Sequence, residues 1–469
     1  MGLVSILKDF YKEPAPIEPI KDPEVIDKTY AQWRMRIFLS MFFGYIIFYI
    51  CRKNISVALP AIEDALHYSK VQLGLLGSSL YFSYAAGKFI NGIIADNTNA
   101  KRILPTALFI SALVNLLFVV CAHFIPNEIS FFGLPPVSIL LWVLAFFWGV
   151  NGWFQSMGFP PIAKNLSYWF ANKERGVKWS LWSSSHEVGT YISVILSGYL
   201  IAHYGWESVF YVPAFIAIIF CFFFYKNLQD KPASIGLPDI EKYKDPDYVE
   251  PVKESNEEDS YTYADIFKKY IIKNPTVWLL AIAYIFVYVV RYGSIDWIAM
   301  YLVDTKQYGL EAAAHRLSFL PLVGVLGTIG AGFVSDKFFK GKRAPVNILC
   351  LVLLALSIYL FKIDFRADLK LFGVPIMEYI YISAIGVFTC GPQVLIGGLS
   401  AVESSSKKVA SAVTGFCGMF GYIGAILSGV GTGFIIQKFS WNGAINFWIL
   451  SALISLVICL ILLKKEVKK

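Results

Sequence analysis

The sequence predicts an all-α membrane protein: twelve transmembrane helices in two six-helix pseudo-repeats. Three observations carry that prediction. Of its 469 residues 57% are hydrophobic and 16% charged, where soluble domains carry about 25% charged. The apolar residues fall into runs close to the roughly 20 needed to cross a bilayer, apolar nearly all round rather than along one stripe. Landmarks of the first half recur in the second, in one order and at near-constant spacing.

Residues 1–36 are polar and of mixed charge, with Lys8, Asp9, Lys12 and Glu13. They show no apolar core with a small-residue cleavage site, so the first span is expected to act as its own uncleaved insertion signal. Met1-Gly2-Leu3-Val4-Ser5-Ile6 lacks the hydroxyl residue of a myristoylation signal. Spans are expected at 37–59, 71–95, 103–123, 137–163, 178–202, 207–226, 275–302, 316–335, 345–362, 374–400, 409–436 and 441–463. Alternate connections separate by charge. Lys101-Arg102, Lys173, Arg175, Lys178, Lys337, Lys340, Lys342, Arg343 and Lys407-Lys408 mark one side, whereas 61–70 and 124–136 are poorer in Lys and Arg. The positive-inside rule makes the first set cytoplasmic, and an even number of spans puts both termini there too. Lys464, Lys465, Lys468 and Lys469 agree.

Residues 227–273 are rich in Lys, Asp, Glu and Pro, too polar to bury a core. They are expected to link one six-helix half, 1–226, to a second, 274–469. The net charge of +8 is read as loop bias and not as a nucleic-acid footprint. Cys51, Cys121, Cys221, Cys350, Cys390, Cys417 and Cys459 lie in or beside apolar spans without a CxxC pair, so neither a disulfide framework nor a zinc site is expected. The sequence holds no phosphate loop, HExxH or nucleophile elbow. No enzyme, catalytic residue, metal or cofactor is expected.

The repeat is specific. Tyr45-Ile-Ile-Phe-Tyr49-Ile-Cys-Arg52 recurs 239 residues on as Tyr284-Ile-Phe-Val-Tyr288-Val-Val-Arg291. Gly92-Ile-Ile-Ala-Asp96 recurs 240 residues on as Gly332-Phe-Val-Ser-Asp336, Gln155 recurs 238 on as Gln393, and 191–198 matches 422–429. A parallel repeat of two six-helix halves is the arrangement of the major facilitator superfamily, with substrate held near mid-membrane at the repeat interface. The segments around Asp96 and Asp336, each followed by a basic pair, resemble that superfamily's loop signature. Both acids are expected to gate, pairing with loop cations or a neighbouring helix N-terminus.

Ionisable groups inside spans are costly and mark function. Arg52 and Arg291 are counterparts in the repeat and are expected to face one another across a central cavity. An anion between them would relieve their repulsion and desolvation, and the planar guanidinium matches phosphate oxygens two at a time. The bland alternative pairs each with a carboxylate, and Asp296 stands a little over one turn beyond Arg291. Lys53 points about 100° away from Arg52 around the helix, leaving it open between function and snorkelling. Lys88 lies deep in the second span, one turn after Tyr84. His186 falls in Ser183-Ser184-Ser185-His186-Glu187, a helix interior polar enough to need a wet cavity. Tyr45, Tyr49, Tyr284 and Tyr288 offer hydroxyls beside the arginines, although tyrosine in a span is also ordinary packing.

These residues, with Arg52-Lys53-Asn54, Trp153-Phe154-Gln155-Ser156-Met157-Gly158, Glu174-Arg175-Gly176, His186-Glu187-Val188-Gly189, Gly236-Leu237-Pro238 and Gly391-Pro392-Gln393, resemble the organophosphate:phosphate antiporter family over nearly the whole chain. That family includes bacterial hexose-phosphate and glycerol-3-phosphate transporters and a sensor of external glucose 6-phosphate. The resemblance implies a monomer in the bacterial inner membrane that exchanges organic phosphate for inorganic phosphate. It implies substrate contact for Arg52, Arg291, His186, Lys88, Tyr45, Tyr49, Tyr84, Tyr288 and Tyr422, and gating or salt-bridge roles for Lys53 and Asp296. Four positions depart from the family pattern: Ser183, Glu187, Pro321 and Cys390. Glu187 is expected to supply the counter-charge that Pro321 cannot, with Lys53 or Lys88 as its partner. Thr414 and Cys417 carry none of the charge seen in some sugar-phosphate carriers, and the N-terminal segment with Tyr81-Phe-Ser-Tyr84-Ala-Ala-Gly-Lys88 resembles the sensor-type branch.

The expected mechanism is one site used alternately by inorganic phosphate and a sugar phosphate, most simply glucose 6-phosphate. Repulsion between the arginines holds the empty carrier open, and Lys in place of either should nearly abolish exchange. The alternatives are a glycerol-3-phosphate:phosphate antiporter, a transporter-like sensor acting on a partner kinase, and a proton-coupled carrier using His186 and Glu187.

Overall fold

The computed structural model describes residues 9–96, 98–127, 138–245, 271–366, 369–371, 373–404 and 410–467. The expected cytoplasmic Lys407, Lys408, Lys468 and Lys469 lie outside them, as do 246–270 of the expected linker and the side chain of Asp96. Twelve crossing helices follow one another: α1 Pro23–Leu66, α2 Lys70–Asp96, α3 Ala100–Phe124, α4 Ile139–Ser156 prolonged by Phe159–Trp169, α5 Asn172–Tyr204, α6 Ser208–Asn227, α7 Pro275–Lys306, α8 Leu310–Phe338, α9 Ala344–Lys362 and α10 Met377–Val394. Then α11 begins at Ala410–Ile426, and Thr432–Val467 carries it on to a bend at Ser440 (φ 60°, ψ −177°), beyond which 441–467 forms α12. Wide helical turns at Leu395–Ser400 and Leu427–Gly431 extend α10 and interrupt α11.

Among the described residues nine stretches are long and apolar enough to cross a membrane, the last running through α11 and α12 together. The helices outside that set are α2 and α5, diluted by Tyr81, Tyr84 and Lys88 and by Ser183–Glu187. Of these, Tyr81, Tyr84, Lys88, His186 and Glu187 lie at the centre of the protein. Apolar side chains meanwhile face outward where lipid would cover them, as at Phe82, Phe146, Phe222 and Leu326.

α1 starts at Pro23, well before the expected 37. Asp22 caps it, accepting from the Glu24 amide at 2.9 Å, and Pro23 opens the first turn. Hydropathy sees only the membrane part of such a helix; Lys28, Arg34 and Arg36 sit on its extension. Arg34 holds Glu174 at the start of α5 and donates to Trp169 O at 3.1 Å.

The helices pair in a pattern that repeats six helices on: α1 with α5 and α7 with α11, α2 with α4 and α8 with α10, α3 with α6 and α9 with α12. Glycines allow the close approaches. A Cβ on Gly189 would stand 2.7 Å from Tyr49 Cβ, and one on Gly424 would stand 2.1 Å from Ile285 O. Across the centre α5 meets α8, α2 meets α11, and α1 meets α7.

The expected linker needs a correction. Its first part, 228–245, is folded onto the first six helices: Leu228, Leu237 and Ile240 are buried with Tyr30 and Trp169. The Ile20 amide donates to Gly236 O at 2.8 Å, so the N-terminal arm joins the same layer. Asp230, nearly free of solvent exposure, accepts from the Ala100 amide at 2.9 Å and so caps α3; burial pushes its carboxyl up from the ordinary range. Lys164 binds Asp230 at 3.3 Å and Glu13 at 2.5 Å, and Glu13 also binds Lys231 at 2.8 Å. Burial would raise the Glu13 carboxyl, but the two lysines outweigh it and hold it below its usual value.

Candidate functional site

The polar centre is built where α1, α2, α5, α7, α10 and α11 converge. Below, the terminal face is the one where α1 begins and α12 ends, and the distal face is the opposite one. Along α1, Tyr45, Tyr49, Arg52 and Ser56 follow at three- and four-residue spacing and so share one face; Lys53 flanks it.

Arg52 is 3% exposed. Its guanidinium lies 4.9 Å from the Tyr49 ring centre and 4.6 Å from that of Tyr84, and it donates to Tyr292 Oη at 3.1 Å. No carboxylate binds it among the described residues, and its buried Nε finds no hydrogen-bond partner there. Arg291, its counterpart on α7, is placed differently. It donates to Glu187 Oε1 at 2.6 Å and to Cys390 Sγ at 3.1 Å.

One sequence expectation is corrected here, and two readings left open are decided. Glu187 pairs with Arg291, not with Lys53 or Lys88. Asp296 pairs with Lys53 of the first six helices at 2.9 Å, not with Arg291. Lys53 neither snorkels nor turns away: it is buried, its amine also reaching Tyr81 Oη at 2.9 Å and lying 4.5 Å from the Tyr292 ring centre. Asp296 is saturated by hydroxyls as well, accepting from Ser56 at 2.6 Å and from Tyr81 at 2.5 Å. The repulsion expected to hold the empty carrier open is muted, because Arg291 already has a carboxylate.

Lys88 lies over the Tyr422 ring, 5.5 Å from its centre, and Tyr84 stacks on Tyr422 at 4.6 Å. A Cβ on Gly418 would stand 2.8 Å from Lys88 Nζ, so that glycine makes room for the amine. Lys88 forms no ion pair with a carboxylate among the described residues. His186 rests among Tyr45, Tyr49 and Trp182, with ring centres 4.7, 5.4 and 5.1 Å away. Tyr284 donates to Tyr288 at 3.1 Å. Asp336 stands apart at the terminal end of α8, held by Arg343 at 2.5 Å, and Arg343 holds Glu403 at 2.9 Å.

Several cross-half contacts lie at the level of the arginines or distal to it. Lys53–Asp296 comes first; beyond it Ser78 Oγ accepts from the Val430 amide at 3.0 Å, and Lys70 binds Asp304 and Glu63, each at 2.6 Å. Beside Arg52 on that side lies a void of about 10 Å³, lined by Ser56, Tyr81, Asp296 and Trp297, room for about one water. Tyr49, Lys88, His186 and Arg291 nevertheless stay half-buried.

Sequence reasoning missed Tyr81, Tyr292 and Ser56 as members of this centre. A signal existed for Tyr292, which is the repeat counterpart of Lys53, 239 residues on. Arg316 and Glu378, a buried pair at 2.8 Å between α8 and α10, were also missed.

A family model described as Major Facilitator Superfamily matches residues 41–391. A probable hexose phosphate transport protein of Chlamydia muridarum (strain MoPn / Nigg) is 38% identical over 455 residues, 95% of this chain and 94% of that protein. A glycerol-3-phosphate transporter of Bacillus subtilis (strain 168) is 35% identical over 95% of this chain and 96% of its own length. The membrane sensor protein UhpC of Escherichia coli (strain K12) is 33% identical, covering 92% and 93%. A solved bacterial homolog of the lysosomal transporter Spinster superposes with a TM-score of 0.66 at 19% identity, over 92% of this chain and 95% of that one. That likeness concerns the fold alone.

Proposed function

We infer that this chain, which belongs to the Major Facilitator Superfamily and within it to the organophosphate:phosphate antiporter family, exchanges a phosphorylated sugar for inorganic phosphate. One observation carries the reading. Four cations meet at the centre, Arg52, Lys53, Lys88 and Arg291, and two carboxylates, Asp296 and Glu187, bind one cation each. With the His186 imidazole counted as neutral, two positive charges remain without a counter-charge among the described residues. A phosphate monoester brings about −1.5 to −2 near neutral pH, and the excess matches it.

Arg52 offers the planar fork and a buried, unpartnered Nε; Lys88 offers a point charge; Tyr49, Tyr84 and His186 offer polar edges around them. Inorganic phosphate satisfies the same groups, which is why one site serves both anions. The phosphorus end docks between Arg52 and Arg291, sharing Arg291 with Glu187. The organic group extends toward the terminal face among Tyr45, Tyr284 and Tyr288. With the termini in the cytoplasm, this state is inward-facing, and Lys53–Asp296 with the Lys70 cluster is the closed outer gate. The hexose-phosphate assignment follows the names of several relatives; a glycerol phosphate is the alternative.

The test is uptake of labelled glucose 6-phosphate into proteoliposomes loaded with phosphate or with an impermeant anion. Uptake that needs internal phosphate is the expected result, with glycerol 3-phosphate the weaker competitor. Uptake driven by a proton gradient alone would overturn it. The sensor reading, favoured by the resemblance to UhpC, predicts saturable binding with slow exchange.

A further inference from the structure

We infer, building on the phosphate-exchange reading, that Glu187 is a specificity-determining residue: by neutralising Arg291 it sets the cavity's uncompensated charge at two. The cavity thereby selects substrates that bring two negative charges over those that bring three.

Glu187 extends from α5 in the first six helices to a guanidinium on α7 in the second, at 2.6 Å, and both side chains are largely buried, 9% and 13% exposed. The groups around it are Arg291 from α7, Cys390 Sγ from α10 at 3.9 Å, and its own neighbour His186. The other carboxylate is not interchangeable with it. Asp296 is consumed by Lys53, Ser56 and Tyr81 on the distal side. Glu187 is therefore the only acidic group among the described residues that bears on how much charge the substrate must supply. Its counterpart at the spacing of 231 that relates the α5 and α11 matches is Gly418, which leaves space for Lys88 instead of adding a charge. An uncompensated charge in a low-dielectric site is costly. With Gln at 187 the excess rises to three, and a ligand carrying a carboxylate besides its phosphate becomes the better match. With Gln at 88 the excess falls to one, and that ligand becomes the worse match.

The experiment measures exchange of labelled inorganic phosphate in proteoliposomes, competed by glucose 6-phosphate or by 3-phosphoglycerate. The parent protein should prefer glucose 6-phosphate. Glu187→Gln should shift the ratio of the two inhibition constants toward 3-phosphoglycerate by at least about tenfold. Lys88→Gln should shift it the opposite way, and Glu187→Asp should leave it near the parent value. A merely structural Glu187 would weaken both competitors equally, and an unmoved ratio in Glu187→Gln overturns the inference. Should that variant bind but not transport, displacement of labelled phosphate from detergent-solubilised protein reads the same ratio, and a shifted or unmoved value there decides the inference in the same way. A parent protein that neither binds nor exchanges phosphate removes the functional reading and this inference together; a fixed ratio in an exchanging protein removes only the inference.

Discussion

Arg52 and Arg291 stand at matching places in the two halves, 239 residues apart in sequence, yet they live in different surroundings. Arg52 is packed between tyrosine rings with one hydroxyl acceptor and, among the described residues, no acid. Arg291 is bound to Glu187 and Cys390. The backbone repeat extends to their tyrosines and not to the helices that face them. At the spacing of 240 that relates Asp96 to Asp336, Tyr81, Tyr84 and Lys88 of α2 fall on Pro321, Gly324 and Thr328 of α8. His186 and Glu187 of α5 fall on Cys417 and Gly418 of α11. The charged side chains at the centre thus come mostly from the first half, and Arg291 borrows its partner from there. A symmetric scaffold carries an asymmetric centre: among the described residues Arg52 has no acid beside it, whereas Arg291 has Glu187.

The largest test of this difference replaces each arginine with Lys. Arg52→Lys should cut phosphate exchange at least about 100-fold, because the buried fork has no substitute. Arg291→Lys should cost nearer tenfold, since an ammonium still satisfies Glu187 as a point charge. Equal losses would mean that the two arginines act alike in transport, whatever their partners in this state.

The bridge next to the arginines comes second. Asp296→Asn leaves Lys53 buried without a counter-charge, a change that in buried pairs costs about 3–5 kcal/mol. The distal-closed state should be lost, lowering both thermal stability and exchange. Combining it with Lys53→Met should recover most of the stability, and no recovery would show that the two do not act as a pair.

Toward the distal face the effects shrink. Glu63→Gln removes one of two acids from a partly exposed Lys70, whose other partner Asp304 remains. The expected cost is under about 1 kcal/mol, checked by denaturation midpoints against Asp296→Asn. The smallest effect belongs to Glu13 on the terminal face. Its folded carboxyl titrates below its usual value, so its pairing with Lys164 and Lys231 contributes stability above about pH 4.3 that is lost as pH falls through the lower folded value. Glu13→Gln should lower stability by a few tenths of a kcal/mol to about 1 at pH 6, and the difference from the parent should fade toward pH 3. A difference that persists there would locate the effect in packing rather than charge.

How legible the protein was depends on the kind of feature. The bend at Ser440 falls within the expected break between 436 and 441, and helix positions otherwise follow the apolar runs. The extension of α1 back to Pro23 was hidden because it lies outside any apolar run. Asp230 read as one more linker charge, although it caps α3 from a buried position. The central residues were visible singly, as charges inside spans, and their pairings were not. Lys53 reads as turned away from Arg52 by the helical angle, and that angle is what carries it to Asp296. Glu187 was marked as a departure and assigned the wrong cation.

Taken alone, the sequence determined the twelve crossings, the repeat and the set of charges inside the membrane. Those follow from local quantities: apolar length, residue type and spacing along one chain. Tertiary structure alone decided which acid meets which base, because an ion pair forms within about 3 Å, and one helical step or a small rotation between halves changes the partner. The two carboxylates at the centre were thus readable as present, and only the reach of Glu187 from α5 to Arg291 and the packing of α1 on α7 settled which arginine was left without one among the described residues.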